Sequence, residues 1–169
     1  MTRVRARGFT LIEIMIVVAI IALLAAIAIP NVLRGRTTAN ESAAIGNLRA
    51  VVSSLEMYRS VYQTYPNQDG TAFRDSMYGS DCAVGTNPAP DFGPPSFCKV
   101  LNDAQVQSYL YEYDSPVGGP TYTLKAVAAN TSSGTRSFFV DESGLIRHCS
   151  GTADATANSS TLDQTPVGC

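Results

Sequence analysis

The sequence has no tryptophan and a single histidine, His148. It contains no G-x-S-x-G elbow, P-loop, H-E-x-x-H or G-x-G-x-x-G string. Those strings place nucleophiles, phosphates or zinc in reach of one another. One histidine beside Cys149 does not make a catalytic set, so no enzyme and no catalytic residue is expected. Only 15% of the 169 residues are charged, and beyond residue 8 no strong basic patch is present to track a phosphate backbone, so no nucleic-acid partner is expected. None of the four cysteines, Cys82, Cys98, Cys149 and Cys169, stands in a C-x-x-C pair, which argues against zinc and thioredoxin-like chemistry. No metal or other cofactor is expected.

Apolar residues, by contrast, are plentiful and unevenly spread. Phe9 to Ile29 holds 21 residues and one charge, Glu13. As a helix it reaches roughly 30 Å, the hydrocarbon thickness of a bilayer. Arg3, Arg5 and Arg7 precede it with no acid among them. That bias predicts a single-pass protein with its N-terminus in the cytoplasm. Without residues 1–8 the chain keeps 9 basic and 14 acidic residues, a net of −5. The remaining residues read as one soluble domain across the membrane.

An even cysteine count in an exported domain favours disulfides. Four cysteines allow three connectivities. Cys82–Cys98 and Cys149–Cys169 are preferred because each pair flanks a loop-like stretch. Each would close about 20 residues, worth on the order of 3 kcal/mol in the chain-entropy model.

A secretory signal carries a small-residue cleavage site after its apolar stretch, and none follows this run. The small residue here, Gly8, comes before it. Glycine lets a protease approach the backbone closely, and a cut there would remove the basic leader and keep the helix. The string Gly8-Phe9-Thr10-Leu11-Ile12-Glu13 resembles the N-terminal signal of type IV pilins and type II secretion pseudopilins. The resemblance is specific over residues 7–31 and weaker to about residue 65. It implies cleavage between Gly8 and Phe9 by a prepilin peptidase, and N-methylation of Phe9. Glu13 matches the acid that the family keeps near the start of its mature helix, and Pro30 the proline it keeps further along.

A carboxylate within the bilayer costs roughly 2.5–3.5 kcal/mol on insertion scales, so Glu13 calls for a partner. The new amine of Phe9, largely cationic at neutral pH, offers one, in the same chain or in a neighbouring copy. Pro30 removes the hydrogen bond to the Ala26 carbonyl, and a kink or local melting is expected between the two. Ala22 stands where the family often has glycine. Alanine favours helix by ~1 kcal/mol, which makes melting less encouraged here.

Beyond Pro30, Ile45, Leu48, Val52, Leu55, Tyr58 and Tyr62 recur at helical spacing, giving an amphipathic helix over residues 30–65. Residues 66–98 are rich in Gly, Pro, Asp and Ser and read as a long loop. Asn102-Asp103 is expected to cap a short helix through Tyr111. Strands are expected at Thr121–Val127, Ser137–Val140 and Leu145–Cys149, with a turn at Asp141–Gly144. The tail from Ser150 to Gly168 is expected to be loose unless Cys169 fixes its end. The fold class is α+β, a pilin-like fold. Residues 1–8 are the leader, 9–29 the membrane or filament-core helix, 30–65 the amphipathic helix and 66–169 the head.

The expected function is that of a structural subunit polymerising into a type IV pilus-type filament. A type II secretion pseudopilin driving protein export is the alternative. A signal-anchored extracytoplasmic enzyme or binding domain is a further one. The resemblance implies as partners further copies of the chain, prepilin peptidase, an inner-membrane assembly platform and motor, and minor pilins or pseudopilins. It places the subunit in the bacterial inner membrane, then in a filament in the periplasm or at the cell surface. Major pseudopilins bind calcium in a C-terminal loop. Asp69, Asp75, Asp81 and Asp91 do not follow an EF-hand pattern, so calcium is carried only as a minor alternative.

Overall fold

The computed structural model describes residues 9–67, 70–78, 92–94, 97–98, 105–165 and 168–169. The elements are α1 (Leu11–Tyr62), α2 (Gly70–Tyr78), β1 (Gln105–Val106), β2 (Tyr109–Asp114), β3 (Thr123–Ala128), β4 (Arg136–Asp141), β5 (Arg147–Ser150) and β6 (Ser160–Thr161). The strands form one antiparallel sheet in chain order, β1 to β6. The chain forms two compact units, Met1–Arg36 and Thr37–Cys169.

In the first unit, every described residue is exposed except Ala25, which is half-buried. The helix is apolar on all sides here, so it has no inward face of its own. It runs unbroken through Pro30. Of the two expected outcomes, a kink or local melting between Ala26 and Pro30, the melting is not seen. Alanines at 22, 25, 26 and 28 favour the helical state, and the Asn31 side chain donates Nδ2–H to the Ile27 carbonyl at 3.0 Å beside the proline.

In the second unit, α1 buries Glu41, Ala44, Leu48, Val51, Ser54 and Leu55. These fall at steps of three and four, one face of a helix. They lie against Tyr109, Tyr111 and Tyr113 of β2, Leu124 and Ala126 of β3, and Phe138 and Val140 of β4. β2 alternates buried and exposed along its whole length, as a strand with one covered face must. Leu48, Val51 and Leu55 contribute roughly 1.5–3 kcal/mol each by burial. Aromatic rings fill the layer between: Tyr65 and Tyr122 meet at 4.6 Å, Phe73 and Tyr113 at 4.5 Å, Phe97 and Tyr111 at 5.0 Å.

Three expectations need correction. The amphipathic helix ends at Tyr62 rather than residue 65. Gln63 there takes φ 60 and closes the last turn by donating its N–H to the Arg59 carbonyl at 2.8 Å, a left-handed helix stop. The stretch 66–98 is not all loop. α2 forms within it, with Phe73 and Met77, four residues apart, both buried. Finally, the short helix through Tyr111 is a hairpin. Val106 pairs with Tyr109 across a two-residue turn, Gln107 and Ser108, both at positive φ. Asn102 and Asp103 lie outside the described residues. The alternating tyrosines of β2 favour a pleated surface, and Asn47 of α1 steadies the turn through Gln107 Oε1 at 3.1 Å.

Candidate functional site: the N-terminal helix

α1 begins at Leu11, inside the string that contains the expected cleavage point. Gly8 lies outside the described residues. Phe9 follows with 84% of its surface exposed. Thr10 is the N-cap. Its hydroxyl accepts the Glu13 N–H at 3.3 Å, and Glu13 Oε2 accepts the Thr10 N–H at 2.7 Å and the Thr10 hydroxyl at 2.8 Å. This reciprocal arrangement is a capping box, which satisfies helix-start donors that otherwise have no partner. Glu13 thus has a partner inside its own chain before any cleavage exposes an amine at Phe9. The signal for this was present in the sequence as Thr-x-x-Glu before an apolar run. Sequence reasoning had read Glu13 through its charge alone.

From Leu11 to Leu33 large apolar side chains stand open on all sides of the helix. α1 is long and apolar enough to cross a membrane, and none of its most apolar window is buried. Glu13 is the only ionisable side chain on that surface before Arg34.

Of the cysteines, Cys149 and Cys169 are bonded. They fix the last residue to β5, where Cys169 N–H also donates to the Ser150 carbonyl at 3.1 Å. The tail is therefore tied down. Lys125 meets Asp154 at 2.8 Å and Ala155 is fully buried beside Phe139 and Cys149. Cys98 is buried, while Cys82 lies outside the described residues, and with it the expected Cys82–Cys98 bridge.

His148, the lone histidine, is buried. Its Nδ1 faces Arg136 Nη1 at 3.1 Å and its Nε2 the Gln164 carbonyl at 3.0 Å. An arginine can only donate, so Nδ1 accepts and Nε2 carries the hydrogen. Both ring nitrogens are occupied by structural bonds. No group of three or more His, Cys, Asp or Glu suited to a metal occurs among the described residues. Asp75, the one loop acid described, holds Arg74 at 2.8 Å. Asp69, Asp81 and Asp91 lie outside those residues.

Sequence reasoning missed Glu41. It sits on the buried face of α1 and accepts from the Thr135 N–H and hydroxyl, at 2.9 and 2.8 Å, and from Arg136. Burial alone raises its carboxyl, but those bonds outweigh it and hold the group below the ordinary carboxylate range. An acid at helical spacing with Ala44 and Leu48 was the available clue.

Residues 3–29 match the prokaryotic N-terminal methylation motif. The type IV major pilin protein PilA of Myxococcus xanthus is 37% identical over 131 residues, 69% of this chain and 56% of that protein. The type IV wide pilus major component PilA4 of Thermus thermophilus is 48% identical over 60 residues, 36% of this chain and 46% of that protein. The type II secretion system core protein G of Dickeya chrysanthemi is 37% identical over 65 residues, 38% of this chain and 42% of that protein. The chain thus spans about half the length of these relatives. No solved structure matches. With the methylation motif on its N-terminal helix, and an α+β head behind it, the chain is similar to type IV pilins and type II secretion pseudopilins.

Proposed function

We propose that this chain is a non-catalytic subunit that polymerises into a type IV pilus-type filament. The observation that carries the reading is the segment Phe9–Ile29, apolar on every side and exposed, with its one carboxylate capped at the start. Such a surface is stable in lipid or among copies of itself, and in water it is not. A prepilin peptidase would cut between Gly8 and Phe9 and methylate Phe9. The subunit would wait in the inner membrane with its N-terminus cytoplasmic, until an assembly platform and motor extract it. Glu13 Oε1 would then accept the Phe9 amine of a neighbouring copy, while Thr10 keeps Oε2. No cofactor enters this reading, and calcium is not part of it.

The relative that matches this chain over 131 residues is named a major pilin. Matches to core protein G run to 69 residues, about half that length. That favours a pilus over a secretion pseudopilus, which remains the second reading on the strength of those matches.

Mass spectrometry of the subunit from native membranes tests processing. The expected N-terminus is N-methylated Phe9; retention of Met1–Gly8 sinks the proposal. Deleting the gene separates the two filaments. Loss of surface pili with normal secretion supports the pilin, and lost secretion with intact pili supports the pseudopilin.

A further inference from the structure

Within the second unit one apolar side chain is far more exposed than any other described there. Val117, in the turn between β2 and β3, shows 86% of its surface. No described residue covers it, yet its turn is held firmly. Gly118 N–H donates to Asn67 Oδ1 at 3.1 Å, Gly119 N–H to the Pro116 carbonyl at 2.8 Å, and the Ser115 hydroxyl to the Thr121 carbonyl at 3.0 Å. Gly118 takes φ +62, and a Cβ on Gly119 would come within 2.3 Å of Pro116 Cγ. The glycines are thus required for the turn's shape, and Pro116 and Pro120 stiffen it further. A rigid apolar tip loses little entropy when it binds.

On another part of the same unit, α1, the β4–β5 turn and β6 border an open surface cavity of about 300 Å³. Leu145, Ile146 and Leu162 give it an apolar lining, beside Arg49 and Asp163. Asp163 is engaged by the Thr161 hydroxyl at 2.5 Å. Arg49 is exposed and makes no ion pair among the described residues. Asp114, three residues before Val117, is likewise exposed and without an ion pair among them. The tip and the cavity therefore match in two ways, apolar to apolar and acid to base.

We propose that Val117 of one copy seats in this cavity of a second copy, with Asp114 facing Arg49. The proposal rests on the filament-subunit reading. Tip and cavity share no residue, so the contact is heterologous. Each copy offers its tip to one neighbour and its cavity to another, which propagates an open helix when the rotation does not close. This contact joins heads, and is independent of the packing of apolar helices.

The test uses the full-length chain in its host. A photo-crosslinking amino acid replaces Val117, filaments are sheared off, and cross-linked peptides are identified by mass spectrometry. The expected product joins position 117 to residues 144–146 or 161–163 of a second copy, in filaments and not in detergent-solubilised subunits. Separately, Asp114→Arg and Arg49→Glu are each expected to lower sheared filament about tenfold, and the two together to restore it. Thermal melting of each solubilised variant checks that the head is folded. Cross-links to other residues, or none, in abundant filaments overturn the contact, as does a double variant no better than its parents. If processed wild-type chain yields no filament at all, the filament reading falls first and takes this contact with it.

Discussion

Glu41 and Arg136 stand 95 residues apart in sequence and meet at 2.7 Å, joining α1 to the start of β4. Arg136 continues the connection to His148, and His148 to Gln164 near the C-terminus. One carboxylate thus fixes the helix, the sheet and the closing segment in a single arrangement. Its side chain is 8% exposed and that of Arg136 29%. Removing one member of a buried pair leaves the other uncompensated. Glu41→Ala is expected to destabilise the head by about 2–4 kcal/mol, read as a lower melting temperature by near-ultraviolet circular dichroism of the chain in detergent. Arg136 alone would then keep its stacking on Phe138, at 5.5 Å.

The same pair sets an acid limit. The folded-state carboxyl of Glu41 is depressed below its ordinary value. Its stabilisation is therefore fully present above the unfolded carboxylate range, about 4.3, and is lost as pH falls through the lower folded value. Melting temperature is expected to hold steady from neutral pH down to about 5 and to fall below about 4. Glu41→Gln should remove most of that acid-side slope. An unchanged slope in Glu41→Gln would assign it to other carboxylates.

The apolar N-terminal helix and the sheet's middle strands were legible in sequence because each obeys one strong pattern. Phe9–Ile29 is apolar without interruption, and Thr123–Ala128 and Arg136–Asp141 follow β-rich runs. The failures fall where tertiary contacts override local composition. β2 was hidden because Tyr109, Tyr111 and Tyr113 acquire their meaning only from the α1 face that covers them. α2 was hidden by the Gly, Asp and Ser around Phe73 and Met77. Of the buried stripe, Leu48 and Leu55 were identified. Ala44 and Val51 are its other apolar members, and Ile45 and Val52 sit at its margins. A helix face shifted by one residue keeps the same spacing, so periodicity alone could not choose between them. The capping box and Glu41 were readable but were not read, since both require asking what each acid does for the backbone or core.

Buried tyrosines give an alkaline signature. Burial pushes the phenol of Tyr111 up to about 12 and raises those of Tyr78, Tyr109, Tyr113 and Tyr122 further. A group whose folded value lies above its unfolded one contributes stability below the unfolded value, about 10, and that stability is lost as pH rises through the folded value. Absorbance near 295 nm is therefore expected to show these phenols ionising together with loss of tertiary structure above pH ~11, rather than gradually from pH 10.

Gly46 lies inside α1, and a Cβ placed there would meet nothing within 4 Å. Glycine in a helix interior costs about 1 kcal/mol relative to alanine. Gly46→Ala is expected to raise the melting temperature of the solubilised chain by a few degrees, since no neighbour resists the methyl group. Gly134 is the contrast. A Cβ there would approach Tyr109 Oη to 2.2 Å, and that hydroxyl donates to the Arg136 carbonyl at 2.9 Å. Gly134→Ala is expected to lower the melting temperature instead.

The last residue is held by Cys149, whose own side chain is fully buried with Phe139 and Ala155. The bridge closes a 20-residue separation, a constraint on the unfolded chain worth on the order of 3 kcal/mol. The closed segment also carries Asp154 to Lys125, and Gln164 to His148. Replacing both cysteines with alanine should release that end first. The expected result is rapid proteinase K cleavage between residues 151 and 168, with β2 to β4 still protected, followed by global unfolding at a lower temperature than wild type. Cleavage that begins in β2 or β3 instead would mean that the closing segment and the sheet unfold as one unit, and that the bridge supports the whole head rather than its edge.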